Sequence, residues 1–227
     1  DKTPEERKSD TKPSPAPTEA PKEDPKETLL VEKIKGVGNS RQVITVTNST
    51  ASSSKVTIEA FELVDGKWKS IYTMPGIIGK NGFTSNKKEG DKKSPAGIFS
   101  LGTAFGRQSN PGTKMAYRQT TANDYWVDDV KSPFYNTWQE GPVDGRWESA
   151  EELYISLYDY AFVINYNSSN TPGAGSAIFF HIWSNSNGIT SGCSASSKSN
   201  LINLLKWIDP SKNPIIIQGS QSMVEGM

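Results

Sequence analysis

SAIFFHIWSNSNGITSGCSASSKSNLINLLKWIDP, residues 176–210, carries the reading of the fold. Residues 176–183 are apolar enough for a buried strand. SNSNGITS (184–191) is loop material. Leu201, Leu204, Leu205 and Ile208 then recur at i, i+3, i+4 and i+7, which predicts a helix over 199–208. Ser197 or Ser199 can cap its start, and Pro210 stops it. The chain's single His and single Cys, His181 and Cys193, flank the loop twelve positions apart.

Outward from this segment the texture is β-rich. QVITVTNST (42–50) alternates Val43, Thr45 and Thr47 against Ile44 and Val46, as a strand does. KVTIEAFELVDGKWKSIY (55–72) reads as two strands around Asp65-Gly66, a strong hairpin signal. GIFSL (97–101), YAFVINYN (160–167) and PIIIQG (214–219) read as further strands. The expectation is one mainly β domain over 29–219, mostly antiparallel, with a few helices. Residues 220–227 read as a C-terminal tail. Residues 1–28 hold six of the fourteen prolines and no Val, Ile, Leu, Met or aromatic residue. With nothing to bury, they read as a disordered, Pro- and charge-rich linker. The chain begins at Asp1, and a removed leader or anchor upstream is expected.

Composition narrows the function. Lys plus Arg and Asp plus Glu are 25 each, so no basic excess favours a nucleic acid. No apolar run is long enough to span a membrane. One Cys excludes an internal disulfide framework, and one His excludes the usual multi-His zinc site. No metal and no cofactor is expected.

A Cys and a His brought together by a strand, a loop and a return form the pair used in nucleophilic acyl transfer. An adjacent imidazole, or the start of a helix, favours the thiolate. Gly192 permits a sharp turn, so the Gly192 and Cys193 amides could point at one oxyanion. The alternative is a buried thiol and a strand His that are unrelated. Aromatic residues crowd into 117–166, either as core packing or as walls of a cleft. Asp128-Asp129 reads as solvated turn acids or as a cation or amine site.

AIFFHIW followed by TSGCSAS resembles the YkuD-type L,D-transpeptidase domain of bacterial cell-wall enzymes. GDKKSPAGIFSLGTAFG (90–106) is similar to that family's Ser/Thr-Pro-x-Gly-x-Phe segment, and MPGIIGKNGF (74–83) to the turn before it. YRQTTANDYWVDDVKSPFYNTW (117–138) resembles a subgroup. The resemblance runs over roughly 36–219 and implies a β-sandwich or barrel with a helix after the Cys.

It also implies an enzyme that acylates a Cys with a peptidoglycan stem peptide and passes the acyl group to an amine of a neighbouring stem. The alternatives are an L,D-carboxypeptidase, in which water replaces the amine, and a non-catalytic wall-binding module. Carried over, Cys193 is the nucleophile and His181 the general base. The Gly192 backbone serves the oxyanion hole, and the Ile182 carbonyl orients the imidazole. Ser191 stands where many members have a His; Ala195 and Ser196 stand where many have Asn and Arg. Ser191, Trp183, Arg118 and Tyr117 are the expected substrate-binding residues, with Arg107 and Arg146 as alternatives for a substrate carboxylate. The implied setting is the bacterial wall or the cell exterior. The implied form is a monomer, with stem peptides as partners and a membrane tether in the missing N-terminus.

Overall fold

The structure is a computed structural model that describes residues 26–227. The expected linker 1–28 lies outside the described residues except for Lys26–Thr28, which are exposed.

Strand β1 (Gln42–Asn48) pairs antiparallel with β2 (Lys55–Val64), which returns as β3 (Lys67–Ile77). Asp65 and Gly66 both have positive φ, 52° and 74°, the pair of angles a two-residue hairpin turn requires. Two short parallel strands follow, β4 (Phe83–Thr84) and β5 (Ser94–Pro95). Next come β6 (Gly97–Gly106), β7 (Tyr117–Gln119), β8 (Asp124–Val127), β9 (Trp138–Glu140) and β10 (Ala150–Glu152). Strands β11 (Ala161–Ile164), β12 (Phe179–Ile182) and β13 (Ser194–Ser196) lead to helix α1 (Lys198–Trp207). Strand β14 (Ile215–Ser220) and helix α2 (Gln221–Glu225) end the chain.

The main sheet runs β11-β12-β13-β3-β2-β1-β14-β6, and β6 pairs back onto β11. Eight strands therefore close into a barrel, with β7 attached along β6. Two of the pairings in this circuit are parallel, β1 with β14 and β12 with β13. The other pairings are antiparallel.

Side chains alternate across each strand and sort into two faces. Ile44, Val46, Phe162, Ile164, Phe180 and Ile182 enter the main core, where α1 adds Leu201, Leu204 and Leu205 and its C-cap adds Ile208. The helix stripe expected from the sequence is the stripe that packs. Ala161, Val163, Phe179 and Cys193 face the other way, beneath Trp126 of β8 and Trp138 of β9. The small sheet β10-β8-β9 thus roofs the outer face of β11 and β12.

Strand β1 is buried along its whole length, contrary to the one-sided burial its alternation suggests. Its second face is covered by a separate cluster of Val31, Ile34, Val43, Phe61, Ile217 and Val224. This cluster corrects the expected tail at 220–227. Ser220 caps α2 by accepting from the Met223 amide at 3.3 Å, which turns Val224 into the cluster. The Met227 carbonyl accepts from the Lys35 and Gly36 amides at 3.0 and 3.1 Å. One buried apolar side chain in a short polar segment left little periodicity to read. Val224→Ala should cost about 2 kcal/mol through lost burial and the cavity left behind. The check is a lower denaturant midpoint at unchanged m-value.

Candidate active site

His181 lies on β12, and Cys193 immediately precedes β13. The two strands pair in parallel, with Phe180 opposite Ser194 and His181 opposite Ala195. Extending this register sets Cys193 level with Phe179, whose amide donates to Sγ at 3.4 Å. Strand alternation then puts His181 and Cys193 on the same outer face, two residues apart across the pair. Both line a cavity of about 210 Å³ with Glu151, Tyr158, Thr190 and Ser191.

The imidazole is held by two contacts. Nδ1 lies 2.7 Å from the Ile182 carbonyl. A carbonyl only accepts, so Nδ1 carries the hydrogen and Nε2 keeps its lone pair. The Tyr158 ring packs edge-on against the imidazole, with centroids 5.2 Å apart. Tyr158 in turn donates its hydroxyl to Glu151 Oε2 at 2.5 Å.

Burial governs protonation. His181 and Cys193 are each 7% exposed. Burial pulls the imidazole down to about 4, against an opposing pull from its bond to Ile182. Burial pushes the thiol up, and the Glu151 carboxylate pushes the same way; the Phe179 amide and the Lys87 ammonium oppose it. At neutral pH the pair is a neutral thiol beside a neutral imidazole. In this state Sγ donates to the Ala177 carbonyl at 3.2 Å.

The expected support of a thiolate by a helix start does not hold. Strand β13 intervenes, and Ser197 caps α1 by accepting from the Asn200 amide at 3.2 Å. A helix terminus acts only within its first turn. Gly192 is corrected as well. Its amide donates to Thr190 Oγ1 at 3.1 Å and its carbonyl accepts from Ser94 Oγ at 2.7 Å. Its φ of 153° and a Cβ that would sit 3.0 Å from the Lys93 carbonyl explain the glycine. It is a structural turn whose amide is already engaged.

A second cavity of about 180 Å³ also reaches Cys193, and Ser191 lies at the rim of both. Lys87, Glu89, Asp128 and Glu151 line it. Lys87 Nζ pairs with Asp91 Oδ1 at 2.8 Å and lies beside Gly192. Glu89 accepts from the Tyr135 and Ser176 hydroxyls. The Asp128-Asp129 pair divides: Asp128 faces the cavity, while Asp129 accepts turn amides from Lys131 and Glu148. A larger cavity of about 550 Å³, at Ser100–Thr103 and Pro214, has no titratable side chain in its lining among the described residues.

The expected arginines are elsewhere. Arg118 stacks on Trp138 at 4.2 Å and pairs with Asp124 and Glu140 at 2.9 and 2.6 Å. Arg107 pairs with Asp159 at 2.6 Å, and Arg146 lies over Phe134 and Trp147. Tyr117 gives its hydroxyl to the Gln108 carbonyl, and the Trp183 amide continues the ladder to Ser196. None of these five lines either cavity at Cys193. Among the described residues, the cation in that lining is Lys87. Its signal was the charged run Lys87-Lys88-Glu89-Gly90-Asp91 just before Ser94-Pro95.

The sequence model of the L,D-transpeptidase catalytic domain (YkuD) matches residues 54–217. Among curated proteins no relative matches. A solved structure, "Structure of Bdellovibrio bacteriovorus Bd1075", is similar at 19% identity with a TM-score of 0.42. The match covers 81% of this chain and 49% of that one, so the chain spans about half its length.

A buried neutral thiol has a distinct signature. A thiol raised above its ordinary value stays protonated at neutral pH and ionises only as the pH climbs past that value. Alkylation of Cys193 by iodoacetamide should therefore be slow at neutral pH and still rising beyond about pH 9. A plateau near neutrality, read by intact mass against Cys193→Ala, would show a resting thiolate instead.

Proposed function

The chain belongs to the L,D-transpeptidase catalytic domain (YkuD) family, and on that premise we propose that it acylates Cys193 with a peptidoglycan stem peptide and transfers the acyl group onward. The observation that carries this reading is the shared outer face of β12 and β13. There a thiol and an imidazole with a free Nε2 line one cavity.

The chemistry follows from the resting state. Cys193 gives up its bond to the Ala177 carbonyl, and the thiol proton passes to His181 Nε2. Sulfur attacks the carbonyl carbon of the scissile amide. The oxyanion develops beside the Cys193 amide, with the Lys87 ammonium in the same cavity wall supplying positive charge. Collapse breaks the C–N bond, and the imidazolium returns its proton to the departing amine. The Ile182 carbonyl, hydrogen-bonded to Nδ1, stabilises the imidazolium in between. The Cys193–His181 pair starts neutral and ends neutral, so these two residues carry charge only during the reaction.

Stem peptides are the substrate class that the family match supports, and the bacterial wall outside the cell is the matching location. The test is intact-mass spectrometry with a carbapenem, whose strained amide reports acylation, together with product analysis on purified muropeptides. Wild type should gain one adduct and Cys193→Ala none. Cys193→Ser should lose about a thousandfold or more in turnover, because a hydroxyl is a far poorer nucleophile. An adduct on both proteins would move the nucleophile elsewhere, and no adduct on either would remove the acyl-enzyme.

A further inference from the structure

Three carboxylates, Glu89, Asp128 and Glu151, line the cavity of about 180 Å³ beside Cys193. Among the described residues the one cation in that wall is Lys87, and it is already paired with Asp91. Among the described residues no salt bridge reaches Glu89, Asp128 or Glu151. The hydroxyls of Tyr135, Ser176, Ser149 and Tyr158 satisfy hydrogen bonds there without cancelling charge. Partly buried charge of one sign without a counter-ion suits a ligand of the opposite sign.

Glu151 holds a special place in this wall. It sits at the middle of β10, opposite Trp126 of β8. It lines both cavities that meet at Cys193, so it flanks the thiol and shares a cavity with His181. Tyr158 ties it to the imidazole: the hydroxyl holds Glu151 Oε2 and the ring packs on His181.

Proton counting shows what such a residue is needed for. An ammonium that becomes an amide nitrogen must shed two protons. The first frees the lone pair before attack, and the second leaves as the C–N bond forms. Water attacking the same thioester sheds only one in that step. His181 is the chain's one histidine and can take only one proton at a time.

We propose that Glu151 binds the ammonium of the acyl acceptor and takes its first proton, which directs the acyl group on Cys193 to an amine. This rests on the reading that Cys193 carries the acyl group. The steps balance. The Glu151 carboxylate accepts a proton from the ammonium, leaving a neutral amine. The amine attacks the thioester carbon and passes its second proton to His181. The C–S bond breaks, and His181 protonates the sulfur as the amide forms. Glu151 then releases its proton to solvent. Burial raises Glu151 to about 6, which still leaves it mostly ionised at neutral pH while making it more basic than an ordinary carboxylate.

The test uses the full chain with a stem tetrapeptide as acyl donor and two acceptors at neutral pH. n-Butylamine is charged there, and hydroxylamine is largely uncharged. The readout is the ratio of amide or hydroxamate to hydrolysed acid, which is set after the acyl-enzyme has formed. Glu151→Gln keeps the shape and can still accept from Tyr158. It should lower the butylamide ratio at least about tenfold, while the hydroxamate ratio stays as in wild type. An unchanged butylamide ratio, or an equal fall with both acceptors, would overturn the role of Glu151 and leave the acyl-enzyme standing. A wild type that forms none of these products would overturn the acyl-enzyme reading itself, and this inference with it.

Discussion

The parallel pairing of β12 with β13 is the constraint on which the site depends. A slip of one residue would turn Cys193 toward the main core and bring Ser194 out in its place. The inner face prevents this with buried polar contacts that fit only one register. Ser194 donates to Gln218 Oε1 at 2.6 Å, and the Gln218 side-chain amide donates to the Pro95 carbonyl at 3.1 Å. Ser196 donates to the Pro75 carbonyl at 2.7 Å. Moving the strand would leave these groups buried without partners, at roughly 1–3 kcal/mol each. Hydrogen bonds on the far side of the strand thereby aim the thiol on the near side.

The roof of aromatic residues sets the electrical character of the site. Trp126, Tyr158 and Phe179 pack edge to face around the outer wall, with centroid distances of 5.1 and 5.6 Å to Phe179. Their bulk excludes water, and exclusion holds both His181 and Cys193 in their uncharged forms. The same dryness strengthens any charge that does form, because little solvent remains to screen it. The thiol–imidazole pair therefore rests uncharged between fixed charges, the Lys87 ammonium and the Glu151 carboxylate, and becomes charged itself only when a reacting group arrives.

Much of this was legible along the chain. The Asp65-Gly66 hairpin, the α1 stripe and the proximity of His181 to Cys193 are local patterns, each contained in a short window. What escaped reading comes from distant segments. Lys87 and Glu151 reach Cys193 only because the barrel closes and the small sheet folds over it. Arg118 has the right chemistry for a carboxylate, but Asp124, Glu140 and the Trp138 ring already occupy it. Charge in a sequence does not reveal which partner has claimed it. The aromatic run 117–166 left core and cleft open as readings. In the structure Trp126 and Trp138 pack against the outer-face cluster, while Tyr158 both packs there and lines the His181–Cys193 cavity.

Barrel closure has one more consequence. Strand β12 is flanked by β11 and β13, and β13 by β12 and β3, so these strands already have neighbours on both sides. Many proteins that handle peptides lay them along a sheet border, where main-chain groups supply affinity whatever the side chains are. Here the strand bearing His181 and the strand that begins just after Cys193 offer no such border. A peptide reaching the thiol would find no unpaired strand edge there to join. The two cavities at Cys193 thus offer ionic and steric fit, rather than a main-chain ladder, to whatever reaches the thiol.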